Sequence, residues 1–116
     1  MSPPKDLIRL QHMMDYAREA LQLVLGKSRN DLDSDRLLGL ALIRLMEMIG
    51  EAANRVSPEY KSCYASIPWS QIIGLRNRLI HGYDDVDMDI LWEILNQDLP
   101  GLVSELERII SRASAT

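Results

Sequence analysis

Apolar positions recur at helical spacing in four separate stretches of the chain. Leu7, Met14 and Leu21 repeat every seven residues, and Leu10, Ala17 and Val24 follow the same repeat three residues on, which predicts a first helix from about Asp6 to Leu25. Gly26 stops it, and Lys27 to Asp33 reads as a polar loop with Asp33 or Ser34 placed to cap the next helix. The second helix, about Asp35 to Val56, is apolar around most of its circumference through Leu37, Leu38, Ala41, Leu42, Leu45, Met48, Ile49, Ala52 and Ala53. Arg44, Glu47, Glu51 and Asn54/Arg55 form its polar stripe, and so wide an apolar arc predicts burial on two sides.

Ser57-Pro58-Glu59 and Ile67-Pro68-Trp69 bracket an irregular stretch in which each proline suits the opening turn of a short helix, giving room for a fifth one within 57–66. A third main helix is predicted from Trp69 to Ile80 or His81, with Ile72, Leu75 and Leu79 inward and Gly82 offering a left-handed residue just past the last turn. Asp87 is placed as the N-cap of a fourth helix running from Met88 to about Ala113. Its seam is Met88, Leu95, Leu102 and Ile109 beside Trp92, Leu99, Leu106 and Ala113, with Pro100-Gly101 expected to kink it midway. Strand-like alternation persists nowhere, so the expected architecture is an all-α up-down bundle of four to five helices.

At 116 residues the chain reads as one domain, 1–116, close to the size at which a partner subunit helps to bury apolar surface. An apolar fraction of 47% with 26% charged residues is ordinary for a globular protein, and no apolar run approaches the roughly 18 residues of a membrane span. No apolar segment follows a basic start at the N-terminus, so a cytosolic, cytoplasmic location is expected. Cys63 is alone, with no neighbouring base to activate it, and reads as a bystander thiol. The net charge of −4 argues against a surface that grips a long stretch of nucleic acid, so a polynucleotide would have to be held locally.

Chemistry concentrates in Arg76-Asn77-Arg78-Leu79-Ile80-His81-Gly82-Tyr83: a permanent cation, an amide, an imidazole that titrates near neutrality and a phenol, a set suited to a phosphate ester. Asn77 and His81 are four apart and share a helix face, whereas Arg76 and His81, five apart, would diverge by about 140° on an ideal helix. They converge within one chain only if the helix end unwinds, or across a two-fold axis if equivalent helices meet in a dimer. An imidazole in a last helical turn would sit among unpaired carbonyls that favour its protonated form. For RNA, whose 2′-hydroxyl is a built-in nucleophile, a proton acceptor and a fixed cation suffice without a metal. Taken singly, Arg76 reads as a salt-bridged surface residue, His81 as a helix cap, Asn77 as solvated and Tyr83 as packing; together at a helix end, the functional reading outweighs these.

The element Arg76-Asn77-x3-His81-Gly82-Tyr83, with Ile49-Gly50-Glu51-Ala52, Ile67-Pro68-Trp69, Asp87 and Leu91-Trp92, resembles the HepT-like branch of the HEPN proteins over about residues 35–106. The resemblance implies a homodimeric, metal-independent endoribonuclease, the toxin of a type VII-like toxin–antitoxin pair, with its cleft at the two-fold axis. Carried over, Arg76 and His81 would be catalytic and Asn77 supporting. The implied partner is an MntA-type minimal nucleotidyltransferase antitoxin, which would use ATP and a divalent ion to adenylylate Tyr83; the chain itself would need no cofactor. Glu51, on the polar stripe of the second helix, could orient Arg76 or His81, or form an ion pair within the bundle.

Other features read as structural. The run Asp31-x-Asp33-x-Asp35 lacks the glycine and glutamate of a calcium loop, as does Asp85, Asp87, Asp89, so capping and solvation explain these aspartates. His12 projects away from the seam of the first helix, and Trp69 and Trp92 lie on apolar faces as core anchors. A different class of function, a non-catalytic helical adaptor that presents itself to a nucleotidyltransferase, uses the same surface without cleaving RNA. An obligate structural dimer would leave the polar set around Arg76 without a purpose.

Overall fold

The computed structural model describes residues 4–82 and 85–115. Three long helices build the frame: α1 (Lys5–Leu23), α3 (Arg36–Asn54) and α8 (Leu99–Ala115), with shorter pieces α2 (Arg29–Ser34), α4 (Pro58–Cys63), α5 (Trp69–Ile73), α6 (Leu75–Leu79) and α7 (Met88–Glu93) between them. A π-helical turn, Ile94–Asp98, joins α7 to α8. The helix α1 packs against both α3 and α8, while α5 and α6 cover another flank of α3, so most of the apolar arc of α3 is buried on two sides, whereas Leu37 and Ala41, read as part of that arc, are exposed. Leu10, Met13, Leu42, Met46, Ile49, Leu91, Leu106 and Ile109 are fully buried at the centre.

Burial in α1 follows the true helical period and not a strict heptad. Leu7, Leu10, Met13, Ala17 and Ala20 are buried, and Met14, Leu21 and Val24 of the expected seam are only partly so. Gly26 does end the first helical region, in the left-handed conformation at φ 76°. The stretch read as a loop contains α2, opened by a capping box in which Asp31 accepts from the Ser28 backbone N–H at 2.6 Å. The cap of α3 is Asp35, whose Oδ1 accepts from Leu38 N–H at 3.1 Å, one residue beyond the positions expected. Each aspartate of that run is thus engaged, Asp31 and Asp35 in caps and Asp33 with Arg29 at 3.1 Å.

The short fifth helix is α4, with Pro58 in its first turn. Ser57 caps it and is itself held by Asp6, which accepts from the Ser57 N–H at 2.9 Å and hydroxyl at 2.6 Å, tying the start of α4 to the start of α1. Ser66 donates to Glu105 at 2.6 Å; with Arg108 as its main partner, the Glu105 carboxyl is held down to about 2.

The stretch expected as a fourth helix is α7, the π turn and α8 in succession, with Pro100 in the first turn of α8. Pro100 has no N–H to donate and its ring crowds the carbonyl four residues back. One turn ahead of it the chain widens: the Leu99 N–H donates to the Ile94 carbonyl five residues back, and Asn96 Nδ2 donates to the Trp92 carbonyl at 2.8 Å. The extra residue shifts the buried face, so Leu91 and Ile94 join the core alongside Leu95, Leu99, Leu102, Leu106 and Ile109.

Close approach of α3 and α5 depends on Gly50. A Cβ built there would lie 3.1 Å from the Ile72 carbonyl oxygen and 3.4 Å from that of Ile73, and backbone cannot swing aside. Gly50→Ala is therefore expected to destabilise by about 1 kcal/mol despite the helix-propensity gain, lowering Tm by about 4 °C. Gly101→Ala, where a Cβ meets nothing within 4 Å, should raise Tm instead. Thermal melts of both variants check the contrast; a rise for Gly50→Ala would contradict the packing assigned to it. Among the described residues no helix is long and apolar enough to cross a membrane.

Candidate active site

The segment that carries Arg76, Asn77 and His81 is less helical than its periodicity predicts. Gly74 (φ −86°, ψ 8°) interrupts the helix, splitting the expected single element into α5 and α6. Regular helix then ends at Leu79, because Ile80 is extended at φ −107°, ψ 112°. Ile80 pairs in an antiparallel bridge with Val86, two β-branched residues suited to extended backbone. The His81 N–H donates to the Asp85 carbonyl and the Asp87 N–H to the Leu79 carbonyl, both at 2.8 Å. Gly82 is consequently not a left-handed helix cap, Gly26 being the glycine with positive φ among the described residues. His81 likewise lies beyond the helix and not among the carbonyls of its last turn.

The unwinding that Arg76 and His81 would need in order to approach each other is present. Within one chain, however, each turns to its own carboxylate. Arg76 Nε lies 3.9 Å from Glu47 Oε2 on α3, its side chain 64% exposed. It lines a cleft of about 160 Å³ with Glu47, Gly50, Glu51, Asn54 and Ile73, to which His81 does not contribute. His81 Nε2 lies 3.6 Å from Asp87 Oδ2. The other oxygen of Asp87 accepts from the Ile90 N–H at 3.0 Å as the cap of α7, so one carboxylate is fixed by the helix end and faces the imidazole with its free oxygen. Asn77 is exposed on the turn after Arg76 and makes no side-chain hydrogen bond among the described residues. Tyr83 lies outside the described residues.

Glu51 faces the Arg76 cleft, yet its ion-pair partner is Arg44 at 4.0 Å, and Arg44 also reaches Glu47 at 3.6 Å. Glu47 thus holds the place beside Arg76 for which Glu51 was a candidate. Its signal was in the sequence, since Glu47 and Glu51 are four apart on the same stripe, but which of two carboxylates a neighbouring helix meets is settled by packing. Arg78 points elsewhere: it lies 3.7 Å from Asp98 and lines an apolar groove of about 390 Å³ between α5 and the π turn. Trp69 and Trp92 are partly buried against the core, the former donating from Nε1 to the Tyr64 carbonyl at 3.1 Å.

An exposed guanidinium and an exposed imidazole, each steadied by a carboxylate on the same chain, are what in-line transfer at a phosphodiester requires of a protein that uses the substrate's own hydroxyl. Comparison with known proteins gives the same direction. The family model described as "Ribonuclease HepT-like" matches residues 13–109. The chain belongs to the HepT-like ribonuclease family. Among its relatives, the Methanocaldococcus jannaschii protein named "Putative RNase MJ1380" is 30% identical over 98 residues, covering 84% of this chain and 90% of the relative. "Putative RNase TTE0752" of Caldanaerobacter subterraneus subsp. tengcongensis is 31% identical over 103 residues, 89% of this chain and 92% of the relative. "Probable ribonuclease HepT" of Thermococcus cleftensis is 33% identical over 95 residues, 78% and 86% respectively. No solved structure matches the chain significantly. The HepT-like resemblance carried by the Arg-x4-His element is thereby borne out at the level of the family.

Proposed function

We propose that this HepT-like chain is a metal-independent endoribonuclease and the toxin of a type VII-like toxin–antitoxin pair. The carrying observation is the placement of Arg76 and His81, in a ribonuclease family, on exposed positions where each is oriented by a carboxylate, Glu47 and Asp87. His81 takes the proton of the RNA 2′-hydroxyl; the 2′-oxygen attacks phosphorus, the bond to the 5′-oxygen breaks, and the protonated imidazole returns that proton to the leaving 5′-oxygen. Arg76 supports the charge on the non-bridging oxygens, with Asn77 as an amide donor beside it. The products are a 2′,3′-cyclic phosphate and a 5′-hydroxyl. Glu47, Glu51 and Asp87 act as positioning residues.

A homodimer completes the site. Leu37 is 78% and Leu40 49% exposed on α3. Leu40 continues into a cleft of about 580 Å³ lined by Arg36, Ile43, Val86 and Met88, the last two flanking Asp87, the partner of His81. A second copy seated on this apolar face stands next to His81, where it can supply the guanidinium that the same chain directs elsewhere.

The antitoxin of the pair is an MntA-type nucleotidyltransferase. With ATP and a divalent ion of its own, it transfers an adenylyl group to the Tyr83 phenol oxygen and releases pyrophosphate. The added phosphodiester is a negative charge a few residues from His81, which repels RNA. Co-expression with the nucleotidyltransferase tests this. Mass spectrometry should find adenylyl groups on Tyr83, and the modified chain should leave labelled RNA intact in excess EDTA while the unmodified chain cuts it. An inhibited complex with unmodified Tyr83 means masking instead, and an unmodified chain that leaves RNA intact means an adaptor.

A further inference from the structure

The polar stripe of α3 turns from the Arg76 cleft onto a second concavity, of about 220 Å³, lined principally by Arg9, His12, Tyr16, Arg44, Glu51 and Arg55. Three arginines gather here in a chain whose net charge is −4. Most other arginines are neutralised: Arg18 by Glu107, Arg29 by Asp33 and Asp89, Arg78 by Asp98 and Arg108 by Glu105. Arg9 and Arg55, by contrast, have no ion-pair partner among the described residues. Arg44 is held by Glu47 at 3.6 Å and Glu51 at 4.0 Å, and Glu51 is the acid that shares the concavity. His12 is exposed, its ring 6.2 Å from that of Tyr16. A guanidinium without a carboxylate is free to take a phosphate bidentately, and two of them facing one hollow beside a third form a polyanion site.

The two hollows adjoin, with Glu51 on the wall of both. Arg44 to Arg55 spans eleven residues of α3 and its C-cap, about 16 Å, enough for roughly five stacked nucleotides. We propose that Arg9, Arg44 and Arg55, with His12, hold the backbone phosphates of a single RNA strand flanking the bond to be cut at Arg76. The inference rests on the ribonuclease reading and adds where the strand runs. It also explains how an acidic chain holds a polyanion: locally, on one strip.

The test is binding of a fluorescent 12-nucleotide 2′-O-methyl RNA, which lacks the nucleophile, measured by anisotropy across a salt series. Loss of two phosphate contacts in Arg9→Gln/Arg55→Gln should weaken binding about 20-fold at 0.1 M salt and reduce the log–log salt slope by about 1.4. Arg9→Lys/Arg55→Lys should recover most of both. Lys27→Gln/Lys61→Gln, an equal change in net charge at positions outside the concavity, should leave both near parental values. Circular dichroism confirms that each variant is folded. Parental affinity and slope in Arg9→Gln/Arg55→Gln overturn the proposal, as does an equal loss in the Lys27/Lys61 control. If the parent still cleaves unmodified RNA, that failure belongs to the strand path alone, whereas a parent that neither binds nor cleaves RNA overturns the ribonuclease reading with it.

Discussion

His81→Ala is expected to slow RNA cleavage by about 10²- to 10⁴-fold, the usual contribution of a positioned proton-transfer group. The loss should appear without a change in fold. The His81 side chain is 46% exposed and, among the described residues, its polar side-chain contact is with Asp87, so removing it opens no cavity in the core. Asp87 keeps its structural work in the variant, because its Oδ1 bond to Ile90 N–H caps α7 independently of the imidazole. Initial rates on labelled RNA in excess EDTA, beside matched thermal melts, read the two effects apart. A rate within twofold of wild type in a folded variant would remove His81 from the chemistry.

Arg76→Ala should cost about 10²- to 10³-fold, the range for losing one preorganised donor to a charged transition state. Stability should barely change, since the contact with Glu47 at 3.9 Å is an exposed ion pair. Arg76→Lys is the sharper variant. An ammonium keeps the charge but lacks the planar fork that addresses two phosphate oxygens, so it should restore only a small part of the rate. If lysine restores the full rate, Arg76 acts as a simple cation that attracts RNA and not as a transition-state donor. Rates measured at saturating RNA separate these outcomes, because an attraction effect vanishes there.

Much of the frame was legible in the sequence, for a definite reason. The helices α1, α3 and α8 are long enough for apolar periodicity to be unambiguous, and the two-sided apolar arc of α3 announced that it would be sandwiched. Short elements carried less. The six residues of α2 have no periodicity to read, and only the Ser28-x-x-Asp31 box marked its start. The break at Gly74, the extended Ile80 and the π turn ahead of Pro100 are each one-residue departures imposed by tertiary pairing or by a missing N–H, and a helical template runs straight across them.

The candidate site divides in the same way. Arg76, Asn77 and His81 stand out by residue type and spacing, and they lie within the span 13–109 that the family model matches. Their carboxylate partners do not stand out. Glu47 meets Arg76 because α6 packs on α3, and Asp87 meets His81 because residues 80 and 86 pair, neither of which follows from local sequence. The basic concavity at Arg9, Arg44 and Arg55 is likewise invisible until α1 lies against α3, since its residues are spread over more than forty positions.

In the proposed homodimer one guanidinium and one imidazole, drawn from two copies of the chain, act on the same phosphodiester. Mixing Arg76→Ala and His81→Ala chains under conditions that exchange subunits tests it most directly. If the site is shared across the two-fold, half of the dimers are mixed and each carries one intact site of its two, so cleavage should recover from near zero to about a quarter of the wild-type rate. Mixtures that stay as inactive as either variant alone, with subunit exchange verified, would contradict a site built from both chains.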